Sequence, residues 1–315
     1  MLIVWKIGGL GDIGKQIVKI NLAIAVLIVL VITMDRALMT YKWARLLRGR
    51  GLHLPFFKGL RIYCASMIWG MFLPATLGAD AIRAYSTSQT GLNPNEVVAS
   101  IVVERMVGFL SALLLGIISL VLFTISGNLD ARFEFVWWSG IVMLLIGVLA
   151  FAASFSQRTF DFLYGCILHR LRGKSFLQRL RQFHFTYLEY QKGKANLAVF
   201  FGLTFIEQLS TVLHSWLIAL GMGIQVSLLH IAGAVLLTML ISRIPVSIDG
   251  LGIYEGMFAL LMSLSGVPPA QAVAISFAGR ILQIIAWLPW WMAHVIGSGR
   301  IGPPQPIIIE DRQGG

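Results

Sequence analysis

The chain has 315 residues, of which 57% are hydrophobic and only 12% charged, and its mean hydropathy is +0.80. A soluble domain carries about twice that share of charge, so a water-soluble globular class is excluded and an integral membrane protein is expected. The net charge of +11 does not argue for nucleic acid, because the basic residues cluster in two segments between apolar runs, where membrane proteins use them to set orientation.

In chain order, residues 1–16 are Gly-rich and weakly apolar, suited to the membrane interface. Ile17–Met34 is the first expected span. No cleavage site follows it, so no signal peptide is expected. Asp35–Arg61 carries seven basic residues against the single acid Asp35 and reads as a cytoplasmic loop. Ile62–Leu73 is apolar but short of the roughly 20 residues a crossing needs. A Pro- and Gly-broken stretch follows, Leu73-Pro-Ala-Thr-Leu-Gly-Ala-Asp-Ala-Ile-Arg-Ala-Tyr85. Spans are expected at Glu96–Ser126 and Phe135–Phe155, with a connector at Gly127–Glu134.

Ser156–Lys194 is the second basic segment. Phe176, Leu177, Leu180, Phe183, Tyr187 and Leu188 recur there at helical spacing. Two readings stand side by side: an amphipathic helix on the cytoplasmic membrane surface, or a helix packed against the other basic loop. Ala195–Leu220 is a span holding Glu207. Leu228–Ile244 is again short, and a second broken stretch follows at Ile244-Pro-Val-Ser-Ile-Asp-Gly-Leu-Gly-Ile-Tyr-Glu-Gly256. Leu251–Leu264 is half a span, Pro269–Ile296 is the last long one, and residues 298–315 read as a disordered tail.

The two broken stretches are related. Pro94 lies eleven residues before Arg105, and Pro269 eleven before Arg280. Upstream, one inserted residue sets Pro74, Gly78, Asp80 and Arg83 opposite Pro245, Gly250, Gly252 and Glu255. Broken apolar segments at matching positions point to a transporter site. If each short run dips into the membrane and returns, three crossings separate the two, and the repeats are inverted. The first broken stretch then lies on the cytoplasmic side, and both basic segments remain there. The fold expected is all-α: a polytopic helical bundle with two inverted repeats, each holding a broken or re-entrant segment.

Each long helix is taken to start at its proline. Arg105 and Arg280 then lie roughly 16 Å along their helices, close to half the hydrocarbon thickness of about 30 Å. A lone arginine at that depth costs at least about 2.5–3.5 kcal/mol, so each needs a partner. Glu104, Glu207 and Glu255 are the candidates. Glu104 and Arg105 diverge by about 100° on a helix and are not expected to pair with each other. One reading has Arg105 and Arg280 receive an anionic head group, whose phosphate suits a guanidinium. The other is an ion-pair network that only braces helices. For Arg83 an anchor near the cytoplasmic surface is the bland reading. Asp80 is placed to cap the helix of Arg83 or to pair with it. Pro74, Gly78, Pro245, Gly250 and Gly252 serve backbone geometry. Trp137, Trp138, Trp287, Trp290 and Trp291 read as interface anchors. The six histidines and two cysteines show no metal or catalytic spacing, so no metal, cofactor or catalytic residue is assigned. No Walker-type loop is present.

The run Leu73–Tyr85, the pair Glu104-Arg105, and Pro245-Val-Ser-Ile-Asp-Gly-Leu-Gly-Ile-Tyr-Glu255 resemble the signature of the flippase-like membrane domain of lysylphosphatidylglycerol synthases. The resemblance covers residues 17–297 and implies an all-helical domain that moves a lipid between leaflets. By matching position it points to Pro74, Gly78, Asp80, Arg83, Glu104, Arg105, Pro245, Gly250, Gly252, Glu255 and Arg280. Three features depart from the pattern. Gly108 stands where an acid often follows, Ile248-Asp249 replace the usual Pro-Gly, and a first span common in the family is not seen. The soluble aminoacyl-transfer domain of the full synthases is not seen either, so lysine transfer is not expected.

The reading is thus a translocator of an anionic or amphiphilic lipid, such as a phospholipid, hopanoid or polyprenyl-linked lipid, in the cell (inner) membrane. A lipid-pathway enzyme or a second copy of the chain is the expected protein partner. The alternatives are a membrane enzyme such as a glycosyltransferase, with Asp80 or Asp249 seeding its site, and a non-transporting partner in a lipid-pathway complex.

Overall fold

The computed structural model describes Gly14 and residues 16–72, 77–125, 134–163, 174–242 and 252–298. Among them the secondary structure is entirely helical. Eleven α-helices are described: α1 (Leu22–Arg48), α2 (Phe56–Gly70), α3 (Leu77–Ser88), α4 (Pro94–Ile125), α5 (Glu134–Ser154), α6 (Gln157–Leu163), α7 (Lys174–Glu189), α8 (Lys194–Gly221), α9 (Leu228–Ser242), α10 (Ile253–Leu264) and α11 (Pro269–Ser298). Of these, α1, α4, α8 and α11 are long and apolar enough to cross a membrane.

Helix starts follow the local sequence. Asn21 caps α1 by accepting from the Ile24 amide at 2.8 Å. Pro94 and Pro269 open α4 and α11, where a missing N–H costs nothing. Gly252 sits at φ +84°, and the Glu255 carboxylate turns back to accept its amide at 2.6 Å, which starts α10.

Two series of four helices match in length. α1 to α4 have 27, 15, 12 and 32 residues, and α8 to α11 have 28, 15, 12 and 30. α1 packs along α8. The short helices cross over: α2 packs on α11 of the other series, and α9 on α4. Within each series the two short helices pack on each other. At the turn from α2 to α3, a Cβ on Gly70 would stand 2.5 Å from the Cβ of Ala79, so the two helices meet backbone to backbone. Buried small residues such as Ala272, Ala274 and Ala278 let α11 approach its neighbours closely.

Three expectations change here. The first basic segment is not a loop: α1 runs through Asp35 to Arg48 as one helix, with Asp35, Lys42 and Trp43 buried. α7 packs on α4 through Tyr187 and Leu188, so it is held against a span and not only against the basic loop; its side chains before residue 181 lie outside the described part. Trp287 is buried, with the Arg36 guanidinium 5.7 Å above its ring, and is no interface anchor, whereas Trp138 is exposed.

One end of the bundle is defined by Arg50, just beyond α1. It donates to Glu96 in the first turn of α4 at 2.9 Å and pairs with Glu189 at the end of α7 at 3.4 Å. Lys192, through a 2.5 Å pair, and then Arg50 hold the Glu189 carboxyl below its usual range. This end is termed the basic face. The two basic segments meet there, as the charge pattern requires.

Candidate functional site

The site begins with Arg83, whose side chain is wholly buried in α3. It is held by Glu104 of α4 at 3.0 Å and by Asp80, one turn away, at 3.3 Å. The rings of Tyr63 and Trp43 lie 4.6 and 4.8 Å from its guanidinium carbon, from α2 and α1. The Tyr63 hydroxyl donates to Glu104 at 2.9 Å. A buried arginine needs this many partners, because the lost hydration must be replaced by carboxylates and aromatic faces. The surface-anchor reading of Arg83 is therefore overturned.

Asp80 is shared. Arg105 reaches it side-on, Nε to Oδ2 at 2.6 Å and Nη2 to Oδ1 at 2.9 Å, a bidentate pair. Arg105 thus takes Asp80, not one of the three glutamates expected. As expected, Glu104 and Arg105 turn to different partners. The Arg105 side chain remains 41% exposed, and its Nη1 has no protein hydrogen-bond partner among the described residues. Because Arg105 lies eleven residues into α4, Asp80 lies about 16 Å from that helix's start. Asp80, in the described part of the first broken stretch, is therefore held within the bundle.

In the second series, Arg280 donates to Glu255 at 3.2 Å, as expected, and that carboxylate also caps α10. Acid and arginine are 25 residues apart in both pairs. Asp80 thus corresponds to Glu255, Pro94 to Pro269 and Arg105 to Arg280, all at one offset of 175 residues. The inserted residue assumed from the prolines is not present in this part. Arg83 then stands opposite Phe258, which is 1% exposed, and not opposite Glu255.

Glu207 serves neither arginine. It pairs with Lys42 of α1, which also donates to Thr204 at 3.1 Å and lies 4.8 Å from the Phe200 ring. Asp35 and Arg36 pair through a 2.9 Å hydrogen bond nearby. Sequence reasoning missed Trp43, Tyr63 and Lys42. The signal was the apolar spacing of Met39, Trp43, Leu46 and Leu47, which carries the period of α1 through the charges.

Gly78 lies in the first turn of α3 and is buried; Gly252 opens α10. Pro74, Pro245, Asp249 and Gly250 lie outside the described residues. Among the described residues, no three metal-ligating side chains converge.

Comparison with known proteins accords with this architecture. Residues 1–290 match the family model described as the lysylphosphatidylglycerol synthase TM region. The chain belongs to that family. It is a multi-pass membrane protein, and the family match begins upstream of the resemblance noted from the motifs. Relatives are UPF0104 membrane proteins of archaea. One from Pyrococcus horikoshii is 18% identical, the match covering 94% of this chain and 92% of the relative. One from Methanothermobacter thermautotrophicus is 21% identical, covering 93% and 89%. One from Methanocaldococcus jannaschii is 20% identical, covering 91% and 88%. No solved structure gives a significant match.

Proposed function

We propose that this lysylphosphatidylglycerol synthase TM-region protein translocates an anionic or amphiphilic lipid between leaflets of the cell membrane. The observation that carries the proposal is the state of Arg105: a guanidinium about 16 Å along a membrane helix, bidentate to Asp80, yet 41% exposed with Nη1 uncommitted. An arginine that only braced helices would be enclosed as Arg83 is. A half-exposed one can exchange a carboxylate for a phosphate without passing through an unpaired charge. When Arg105 turns to a head group, Asp80 keeps Arg83 as its partner. Arg280 and Glu255 supply the corresponding exchange in the second series.

In this reading the two series form inverted repeats, and the head group passes from one arginine to the other across the bundle. The lipid is the partner, and the chain itself performs no bond-making step. Asp80 is engaged by two arginines and so is poorly placed as a general acid or base, which weighs against the membrane-enzyme alternative.

The test is reconstitution of the purified chain in liposomes carrying a fluorescent phospholipid, with an external quencher. Faster loss of inner-leaflet signal than in protein-free liposomes is expected. No acceleration across phospholipid, hopanoid and polyprenyl-linked probes would overturn the assignment.

A further inference from the structure

A cleft of about 580 Å3 opens at the basic face between α2, α3 and the end of α11. That size suits a small ligand or a head group with the start of its chains, within the usual range of about 300–1,000 Å3. Lys58, Arg61 and His294 line it, and no carboxylate does. Neither Lys58 nor Arg61 has an acidic partner among the described residues. Deeper along α2 the lining becomes aromatic at Trp69, eleven residues or about 16 Å beyond Lys58. Tyr85 and Gln89 of α3 form the opposing wall. The cleft is thus cationic at the surface end and apolar within, the polarity of a lipid with a phosphate head.

The two series differ here in sequence. At the offset of 175 residues, Trp291 of α11 stands where α4 has Gly116. Trp291 meets Trp69 edge to face, with ring centroids 5.9 Å apart, so two indoles fill the contact between α2 and α11 at this level. In the second series α9 closes on α4: a Cβ on Gly116 would stand 2.8 Å from the Leu240 side chain, and Ser119 donates to the Gly233 carbonyl at 2.6 Å. α2 and α9 both have 15 residues, so their starts at Phe56 and Phe56's counterpart Leu228 set Arg61 opposite Gly233 and Lys58 opposite His230. Where the first series has a cleft with two cations, the second has a closed helix contact. The C-terminal ends of α3 and α11 also face this region and disfavour an anion, so the holding charges are the side chains themselves.

We propose that this cleft binds the phosphate of an anionic lipid head group, with Lys58 and Arg61 as its charge partners and Trp69 beside its chains. As the loading site for transport it rests on the translocation reading; as a binding site it stands separately.

The experiment measures equilibrium binding to the purified full chain in detergent. Three probes are used: short-chain phosphatidylglycerol, short-chain phosphatidylcholine and inorganic phosphate. The expected order is phosphatidylglycerol tightest, with at least a tenfold loss in Lys58→Ala/Arg61→Ala and retention in Lys58→Arg/Arg61→Lys. Lys194→Gln, exposed and outside both the cleft and the arginine–carboxylate pairs, is expected to bind as wild type, and reading binding in detergent, with no crossing involved, separates this proposal from the translocation reading. Unchanged affinity in the double alanine variant would overturn the site. Equal losses in that variant and Arg105→Gln would place binding at the ion pair instead. Inorganic phosphate binding as tightly as phosphatidylglycerol would overturn the lipid as its source.

Discussion

Asp80 receives both Nε and Nη2 of Arg105, and the distance along the chain between them, 25 residues, is the same as that between Glu255 and Arg280. A charge pair repeated at one offset, in helices of matching length, ties the two halves of the bundle to one plan. Asp80→Ala and Arg105→Ala should therefore be strongly non-additive. A double-mutant cycle on thermal stability in detergent is expected to give a coupling of about 0.5–3 kcal/mol, the range for groups in direct contact. Additive losses would show that the pair does not act as a unit.

Arg83 is the structural member of the cluster. Replacing it with Met leaves Glu104 buried without its main cation, so unfolding stability should fall by about 3–5 kcal/mol. Adding Glu104→Gln removes the stranded charge and should recover part of that loss. Melting temperatures of the two variants check this, and equal stability of Arg83→Met and wild type would contradict the burial argument.

Gly70 tests the hairpin of α2 and α3. Its missing side chain lets Ala79 approach, and a Cβ would stand 2.5 Å from that residue's own Cβ. Gly70→Ala is expected to cost about 1–3 kcal/mol through overpacking, and Gly70→Val more. Tolerance of valine with an unchanged melting temperature would mean that the helices are free to separate.

Much of this was legible in the sequence. The long helices, the two short ones in each series and the need of Arg280 for a carboxylate, with Glu255 among three candidates, follow from apolar run length, prolines and the cost of a lone arginine. The misreadings share one origin, the use of charge as a sign of surface. Asp35, Lys42 and Arg83 were placed near water because charged residues usually are, yet each is enclosed among partners from distant segments. Lys42 meets Glu207 across 165 residues, which no local pattern reveals. Matching Pro74 to Pro245 sets Arg83 opposite Glu255, whereas the offset of 175 residues shared by Asp80/Glu255 and Arg105/Arg280 sets it opposite Phe258. The acid–arginine pairs set the register that the side chains use.

The proposed inverted arrangement makes a topological prediction. In a background without Cys64 and Cys166, Thr90→Cys after α3 and Pro268→Cys after α10 should react with an impermeant thiol reagent from opposite faces of sealed vesicles. Labelling of both from one face would rule out inversion.

The central claim is that Arg105 handles the lipid during crossing. The direct measurement is the initial rate of fluorescent anionic phospholipid movement in proteoliposomes containing wild type, Arg105→Gln or Arg280→Gln, each verified as folded by its melting curve. The account predicts acceleration by wild type and a loss of at least tenfold in each variant. Wild-type rates in both folded variants would contradict it.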